Sequence, residues 1–329
     1  NLKPVGEPFN ILVAITPDVL PEPDAIMVTG ITPQDTKRDG ITESEFIKIF
    51  QNEIATPDTI FLGFNTVRFD DEFMRFMLYR NFCDPYDWQW KDNRSRWDML
   101  DLARMTRALR PEGIKWPFAP DGKPTVRLEY LTKLNGLDHE NAHDALNDVL
   151  ATIAIAKLIK DKQPKLFEFL LDMRDKKKVA ELVESGQPFI YTSGKYSNEF
   201  EKTNVVVMLA KHHKKQAAVV YDLRQDPAEF LKMTPTELVD RWRWVADKDK
   251  EPPRLPVKTL QYNRCPAVAP LGVLDKDSQE RLHTDLKVIE ANRAKLLSAP
   301  EFAQNILKAL EILDEQQQTT WVIDEQDVD

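Results

Sequence analysis

The sequence predicts an α/β domain followed by a second, strand-containing domain, and three observations carry that prediction. Between residues 9 and 160 short apolar runs alternate with segments of helical period, as in strands and helices wound into one α/β layer structure. After about residue 163 the texture changes to a charged helical stretch and then a series of strand-like runs. The 329 residues are 42% hydrophobic and 30% charged, with no apolar run of membrane-spanning length, which suits two globular domains.

In order, "FNILVAI" reads as a strand, "ESEFIKIFQNEI" as a helix, "TIFLGF" as a strand and "DDEFMRFMLYRNF" as a helix. "RWDMLDLARMTRAL" then has helical period, and "RLEYLTKLNG" is a shorter helix ending at Gly136. "NAHDALNDVLATIAIAKLI", residues 141–159, is a helix apolar nearly all the way round. The expected boundary follows residue 163, giving domains 1–163 and 164–329. Beyond it "LFEFLLDMRDKKKVAELVE" is one charged helix, and "PFIYTS", "VVVMLA" and "AAVVYDL" are strands. "DKDKEPPRLPVKTL" is expected to lack regular structure, because proline removes a donor and restricts the residue before it. Helical period returns from "DKDSQERLHTDLKVIEANRAKLL" to "FAQNILKALEIL", and the acidic "DEQQQTTWVIDEQDVD" is expected to be loosely ordered.

A net charge of −9 argues against wholesale non-specific nucleic-acid binding, but leaves room for a local basic groove or a carboxylate-lined metal site. Cys83 and Cys265 stand far apart without metal-type spacing, which points to a reducing compartment, the cytoplasm, and no disulfide framework. The first residue is Asn1, and the opening "NLKPVGEPFNILVAI" has no basic start followed by an apolar stretch. No signal peptide is therefore expected, and the chain reads as a fragment.

The apolar helix poses the functional question, because it carries Asp148 and follows His143. Asp148 shares a helical stripe with Thr152, Ile155 and Ile159, while Leu146, Val149, Leu150 and Ile153 form a second apolar face expected to pack under the sheet. A carboxylate so placed is expected to be buried, with its pKa raised by desolvation. His143 and Asp148 lie about 140° apart on an ideal helix, so they converge only if His143 sits in the entering loop. The His then suits a general base and the carboxylate a metal ligand, against the plain alternative of a hydrogen-bonded core Asp. In "TIFLGFNTVRFDDEF" an apolar strand runs through a short loop into a helix beginning Asp70, Asp71, Glu72. Asp71 and Glu72 read as capping and dipole partners, whereas Asp70 lies just past the carboxyl end of a strand, where α/β sheets place ligand sites.

In order, "GFNTVRFDDEF", "RWDMLDLARMTRALRPEGIKWP" and "VRLEYLTKLNGLDHENAHDALNDVLATIAIAKL" resemble the DEDD-type 3′–5′ exonucleases with a catalytic histidine, the DEDDh or DnaQ-like family, and among them those that degrade single-stranded DNA. The likeness extends to "VTGITP" near the start and "LPVKTLQYNRCP" late in the chain. It implies a ribonuclease H-like α/β exonuclease domain, N-terminally truncated, followed by an SH3-like β-barrel domain with helical decoration. It implies hydrolysis of single-stranded DNA to 5′-mononucleotides in DNA repair and recombination, with two Mg²⁺ ions, for which Mn²⁺ substitutes. By the same resemblance Asp70 and Asp148 are the metal-binding carboxylates and His143 the general base. Arg127 matches a position near the substrate phosphates, Thr29, Gly30 and Ile31 the segment that cradles the terminal nucleotide, and Asn65 a substrate contact. On residue chemistry alone these stay open as a surface Arg, an N-capping turn and a turn residue. The implied partners are a single-stranded DNA 3′ end and the acidic C-terminal tail of the single-stranded-DNA-binding protein. Arg110 matches a contact to that tail, and otherwise complements a helix dipole. The resemblance also implies a monomer without membrane attachment. "KHHKK", residues 211–215, and "RWRW", residues 241–244, can face DNA or can be an ordinary loop and a half-buried Trp pair.

The D-x-E pair that the resemblance assigns to the first strand is expected ahead of Val5, and Asp138 to Glu140 does not replace it. The inner ion would then keep one direct carboxylate ligand, too few to hold a hydrated Mg²⁺ firmly, so the chain by itself is expected to be inactive or nearly so. A rival phosphohydrolase reading built on His143 and Asp144 fails on ligand count. A non-catalytic module that binds single-stranded DNA or a partner is the alternative.

Overall fold

A computed structural model of the chain describes residues 2–137, 145–243 and 253–326, with side chains to residue 316. The chain divides into two compact units, Asn1–Asp175 and Lys176–Asp329.

The first unit begins with three short helices, α1 (Pro23–Thr29), α2 (Pro33–Asp39) and α3 (Glu43–Ile49). Capping boxes start the last two: Thr32 with Asp35 and Thr42 with Glu45 each exchange side-chain and backbone hydrogen bonds. The expected strand "FNILVAI" is reduced to an isolated parallel bridge between Val13 and Ile41. Helix α3 runs on through a π-helical turn, Phe50–Ile54. Strand β1 (Ile60–Gly63) leads to α4 (Asp70–Arg80), and β2 (Ser95–Asp98) pairs with β1 in parallel, Gly63 opposite Asp98. Ile47, Phe50, Ala55, Leu78 and Trp88 form a buried cluster here, with the Phe61 ring edge-on to Trp88 at 5.0 Å. Burying a side chain such as Leu78 contributes roughly 1.5–3 kcal/mol.

Residues read as the start of a helix, "RWD", belong to β2, and α5 (Met99–Leu109) begins after them because Asp98 accepts the Leu100 N–H as its cap. Helix α6 (Leu128–Leu134) is followed by Gly136 at φ 67°, a left-handed position that glycine adopts without strain. Helix α7 (Ala145–Lys162) packs on α5, on α6 and on α8 (Pro164–Asp172). Its buried residues are Ala151, Thr152, Ile155, Ala156 and Ile159. Two expectations are corrected here. Asp148 is exposed rather than buried, because it stands a turn ahead of the covered stripe. The second apolar face packs only in part: Leu146 and Ile153 are half-buried, whereas Val149 and Leu150 are 55% and 37% exposed.

The expected boundary after residue 163 moves to Asp175, because α8 belongs to the first unit. Phe167 and Leu170 are buried, the Phe167 ring meets Trp97 edge-on at 5.0 Å, and Arg174 Nε donates to Ser95 Oγ at 3.0 Å. The stretch read as one charged helix is thus two, α8 and, in the second unit, α9 (Lys176–Val183).

The second unit holds β3 (Phe189–Thr192), β4 (Thr203–Lys211), β5 (Ala217–Asp222), α10 (Pro235–Trp242), β6 (Val257–Gln261) and β7 (Ala267–Pro270). The five strands form one antiparallel sheet in the order β6-β5-β4-β3-β7. All six residues of β5 are buried, which explains its unbroken apolar run. Strand β6 corrects the reading of "LPVKTL" as irregular: Pro256 stops just short of an edge strand, and its carbonyl still accepts the Asp222 N–H at 2.9 Å. Helices α11 (Lys276–Arg281), α12 (Leu286–Leu297) and α13 (Pro300–Gln326) complete the unit, Phe302 of α13 lying 6.2 Å from the Tyr221 ring. The tail expected to be loosely ordered is therefore helical to Gln326. Among the described residues no helix is long and apolar enough to cross a membrane.

Candidate active site

The two parallel strands of the first unit each deliver an aspartate at the carboxyl end. Strand β1 ends at Gly63, and the chain turns through Asn65, at φ 66°, and a 3₁₀ turn, Thr66–Arg68, to place Asp70 at the first position of α4. A side chain on Gly63 would collide with Thr66, so the turn needs glycine there. Strand β2 ends at Asp98, whose carboxylate accepts three backbone N–H groups: Asn65 at 2.8 Å and Leu100 at 2.9 Å on Oδ1, and Val67 at 3.1 Å on Oδ2. Asp98 thereby ties the loop that carries Asp70 to the neighbouring strand. The reading of the sequence missed it because an Asp ahead of a helix looks like a cap, and it is one.

Asp70 is exposed as a residue, yet the protein around its carboxyl group raises its pKa by desolvation, partly opposed by its own backbone N–H. Asp98 and Asp148 raise it further by like-charge repulsion, so the first turn of α7 brings Asp148 into electrostatic range of Asp70. Asp71 and Glu72 do different work from Asp70. The buried Asp71 is ion-paired with Arg96 of β2, and Glu72 pairs with Arg75 at 2.6 Å. His143 lies outside the described residues, as do Asp138 to Glu140.

Of the remaining candidates, Thr29 and Gly30 end α1, Gly30 in the left-handed region at φ 70°, and the Ile31 N–H donates to Thr29 Oγ1 at 3.2 Å. All three are exposed, and Thr32 caps α2, as a capping turn would. Asn65 holds the left-handed turn position, its N–H on Asp98. Arg127 precedes α6 and is exposed, its Nη1 3.9 Å from Glu129 Oε1. Arg110 follows α5 and donates to the Leu109 carbonyl at 2.5 Å, the dipole-complementing geometry. In "KHHKK" Lys211 pairs with Glu184 at 2.5 Å, and His213 and Lys214 each stand 3.6 Å from Asp314. In "RWRW" Trp242 is half-buried at the end of α10, and Trp244 lies outside the described residues.

Residues 1–156 match the exonuclease family model, and residues 174–312 match the model of the exonuclease I SH3-like domain. Exodeoxyribonuclease I of Haemophilus influenzae is 41% identical over 319 residues, 95% of this chain and 67% of that protein. The chain belongs to the exodeoxyribonuclease I family. The exonuclease I structure from Methylocaldum szegediense matches with a TM-score of 0.90 at 42% identity, over 94% of this chain and 66% of that one. Escherichia coli exonuclease I in complex with a dA16 oligonucleotide matches with a TM-score of 0.90 at 38% identity, over the same shares. The chain thus spans about two thirds of the length of these relatives. Family membership makes the first unit a ribonuclease H-like exonuclease domain and the second an SH3-like one, and places the chain in a family of nuclease enzymes.

The oxygen-rich chemistry of the site fits a hard divalent ion, since Asp70 and Asp148 repel each other and a cation between them removes that cost. Asp98 already accepts three backbone N–H groups, two on Oδ1 and one on Oδ2. Among the described residues no group of three or more His, Cys, Asp or Glu is arranged to hold a metal.

Proposed function

We propose that the chain carries the exonuclease and SH3-like parts of an exodeoxyribonuclease that hydrolyses single-stranded DNA from its 3′ end to 5′-mononucleotides. Asp70 and Asp148 would hold the divalent ions, Mg²⁺ or Mn²⁺, which when bound neutralise charge at the scissile phosphate. His143 is the general base that takes the proton of the attacking water, a role for which imidazole is near neutral at pH 7. Thr29, Gly30 and Ile31 seat the terminal nucleotide, Asn65 shapes the loop beside it, and Arg127 meets a backbone phosphate. Arg110 receives the acidic tail of the single-stranded-DNA-binding protein. The setting is DNA repair and recombination in the cytoplasm, as a monomer.

The observation that carries this reading is that Asp70 at the head of α4 lies within charge range of Asp98 and Asp148, on a chain that belongs to the exodeoxyribonuclease I family. Escherichia coli exonuclease I has been solved with single-stranded DNA in a zinc-bound form, and a further similar structure is of SSB/exonuclease I in complex with an inhibitor. Two carboxylates leave a six-coordinate ion short of protein ligands, so residues 1–329 alone should release mononucleotides slowly or not at all. Fusing an apolar strand ending in D-x-E ahead of Asn1 should restore Mg²⁺-dependent release from a 3′-labelled oligonucleotide. Asp70→Asn in that fusion should lower the rate at least about a hundredfold. Full activity without the strand, or in the variant, overturns the proposal.

A non-catalytic single-stranded-DNA or partner module is the second reading, and the short ligand set among the described residues is what favours it. DNA binding with no release in the fusion would select it.

A further inference from the structure

Strand β2 holds the chain on both sides of Asp70. Ahead of it, the loop from β1 turns through Asn65 and Val67, whose N–H groups donate to the Asp98 carboxylate at 2.8 and 3.1 Å. Behind it, Asp71 is buried and ion-paired with Arg96. Arg96 and Asp98 stand two residues apart on β2, so both side chains leave the same face of the strand.

The segment's own bonds do not set the direction in which it leaves the sheet. The ladder between β1 and β2 ends at Gly63 opposite Asp98. Beyond it, Arg68 N–H donates to the Asn65 carbonyl at 3.3 Å and Phe69 N–H to that of Thr66 at 3.1 Å, which shapes the turn without aiming it. The buried Val67 side chain anchors the turn, but apolar contact is non-directional. Helix α4 starts after Phe69 with no side-chain cap, so its first turn takes its place from the Asp71–Arg96 pair. Bonds from N–H groups to a carboxylate are directional and stronger than those between neutral groups, so Asp98 suits the same task for the loop.

We propose that Arg96 and Asp98 are positioning residues, which set the place of the Asp70 carboxylate and thereby its reach towards Asp148. Asp98→Asn separates this role from general stability. Its carboxamide keeps one oxygen for the N–H groups of Asn65 and Leu100 and turns an NH₂ towards the Val67 N–H, so one bond of three is lost. Asp98→Ala loses all three. Arg96→Lys keeps a cation for Asp71, whereas Arg96→Gln leaves a buried carboxylate without its ion pair. The effect on a divalent ion rests on the reading of Asp70 and Asp148 as its ligands, and the placing of Asp70 does not.

Amide hydrogen exchange followed by NMR, and Mn²⁺ titration followed by electron paramagnetic resonance, both on residues 1–329, test this. In Asp98→Asn the Val67 amide should exchange at least about tenfold faster, with Asn65 and the buried Thr106 to Leu109 of α5 unmoved. In Asp98→Ala the Asn65 amide should quicken too. Mn²⁺ binding should weaken about tenfold in Asp98→Ala and in Arg96→Gln, and Arg96→Lys should restore it. Unchanged Val67 exchange in both Asp98 variants, or an equal rise in α5, overturns the proposal. So does parental Mn²⁺ affinity in Asp98→Ala and Arg96→Gln where Asp70→Asn lowers it, an outcome that leaves the metal ligands standing. If Asp70→Asn also binds as the parent does, the metal reading fails instead, and the Val67 and Asn65 amides alone decide whether β2 places Asp70.

Discussion

Asp70 and Asp98 share one functional group and differ in what surrounds it. Asp98 accepts three backbone N–H groups, so its carboxylate holds a loop in place. Asp70 faces no such set, and burial together with Asp98 and Asp148 raises its pKa. A carboxyl whose folded pKa lies above its unfolded value binds its proton more tightly when folded. The folded state therefore loses stability as pH rises through that range. Asp70→Asn should accordingly raise the melting temperature at pH 7, and the advantage should vanish at about pH 3, where the parent carboxyl is protonated in both states. A variant that melts below the parent at pH 7 would show that Asp70 is a stabilising acid, contrary to this account. Asp70 was legible in the sequence because a strand, a short loop and a helix start bracket it. Asp98 was not, because its role as loop tie depends on the pairing of β1 with β2, which its own neighbours do not encode.

The elements that the sequence conceals are those whose pattern is shared with a neighbour. "SRWD" is too short and too polar to announce a strand, and it joins the period of α5. Strand β6 hides behind its prolines, which an edge position tolerates. The apolar face of α7 misled for another reason: hydrophobicity predicts that a residue can be buried, and only packing decides that Val149 and Leu150 are not. Helix α8 is the most consequential case, because it moves the unit boundary. Phe167→Ala should cost the first unit about 3–5 kcal/mol, since it removes a buried ring set against Trp97. Differential scanning calorimetry checks this by a lowered transition for the first unit and an unmoved one for the second. Equal shifts in both would place α8 elsewhere.

At the scale of the whole molecule, the division into an α/β unit and a strand-rich unit was readable from alternation and texture, and the family from its ordered motifs. What those patterns do not contain is how many carboxylates meet at one point. The first unit brings Asp70 and Asp148 within charge range and leaves Asp98 to hold the loop, so a divalent ion should lie between the first two. Electron paramagnetic resonance titration of Mn²⁺ into residues 1–329, into Asp70→Asn and Asp148→Asn, and into a control variant of the exposed Asp92 between α4 and β2, Asp92→Asn, measures this most directly. The account predicts a weak site in the parent and the control that Asp70→Asn and Asp148→Asn each weaken at least about tenfold. Unchanged Mn²⁺ binding in both Asp70→Asn and Asp148→Asn would contradict it.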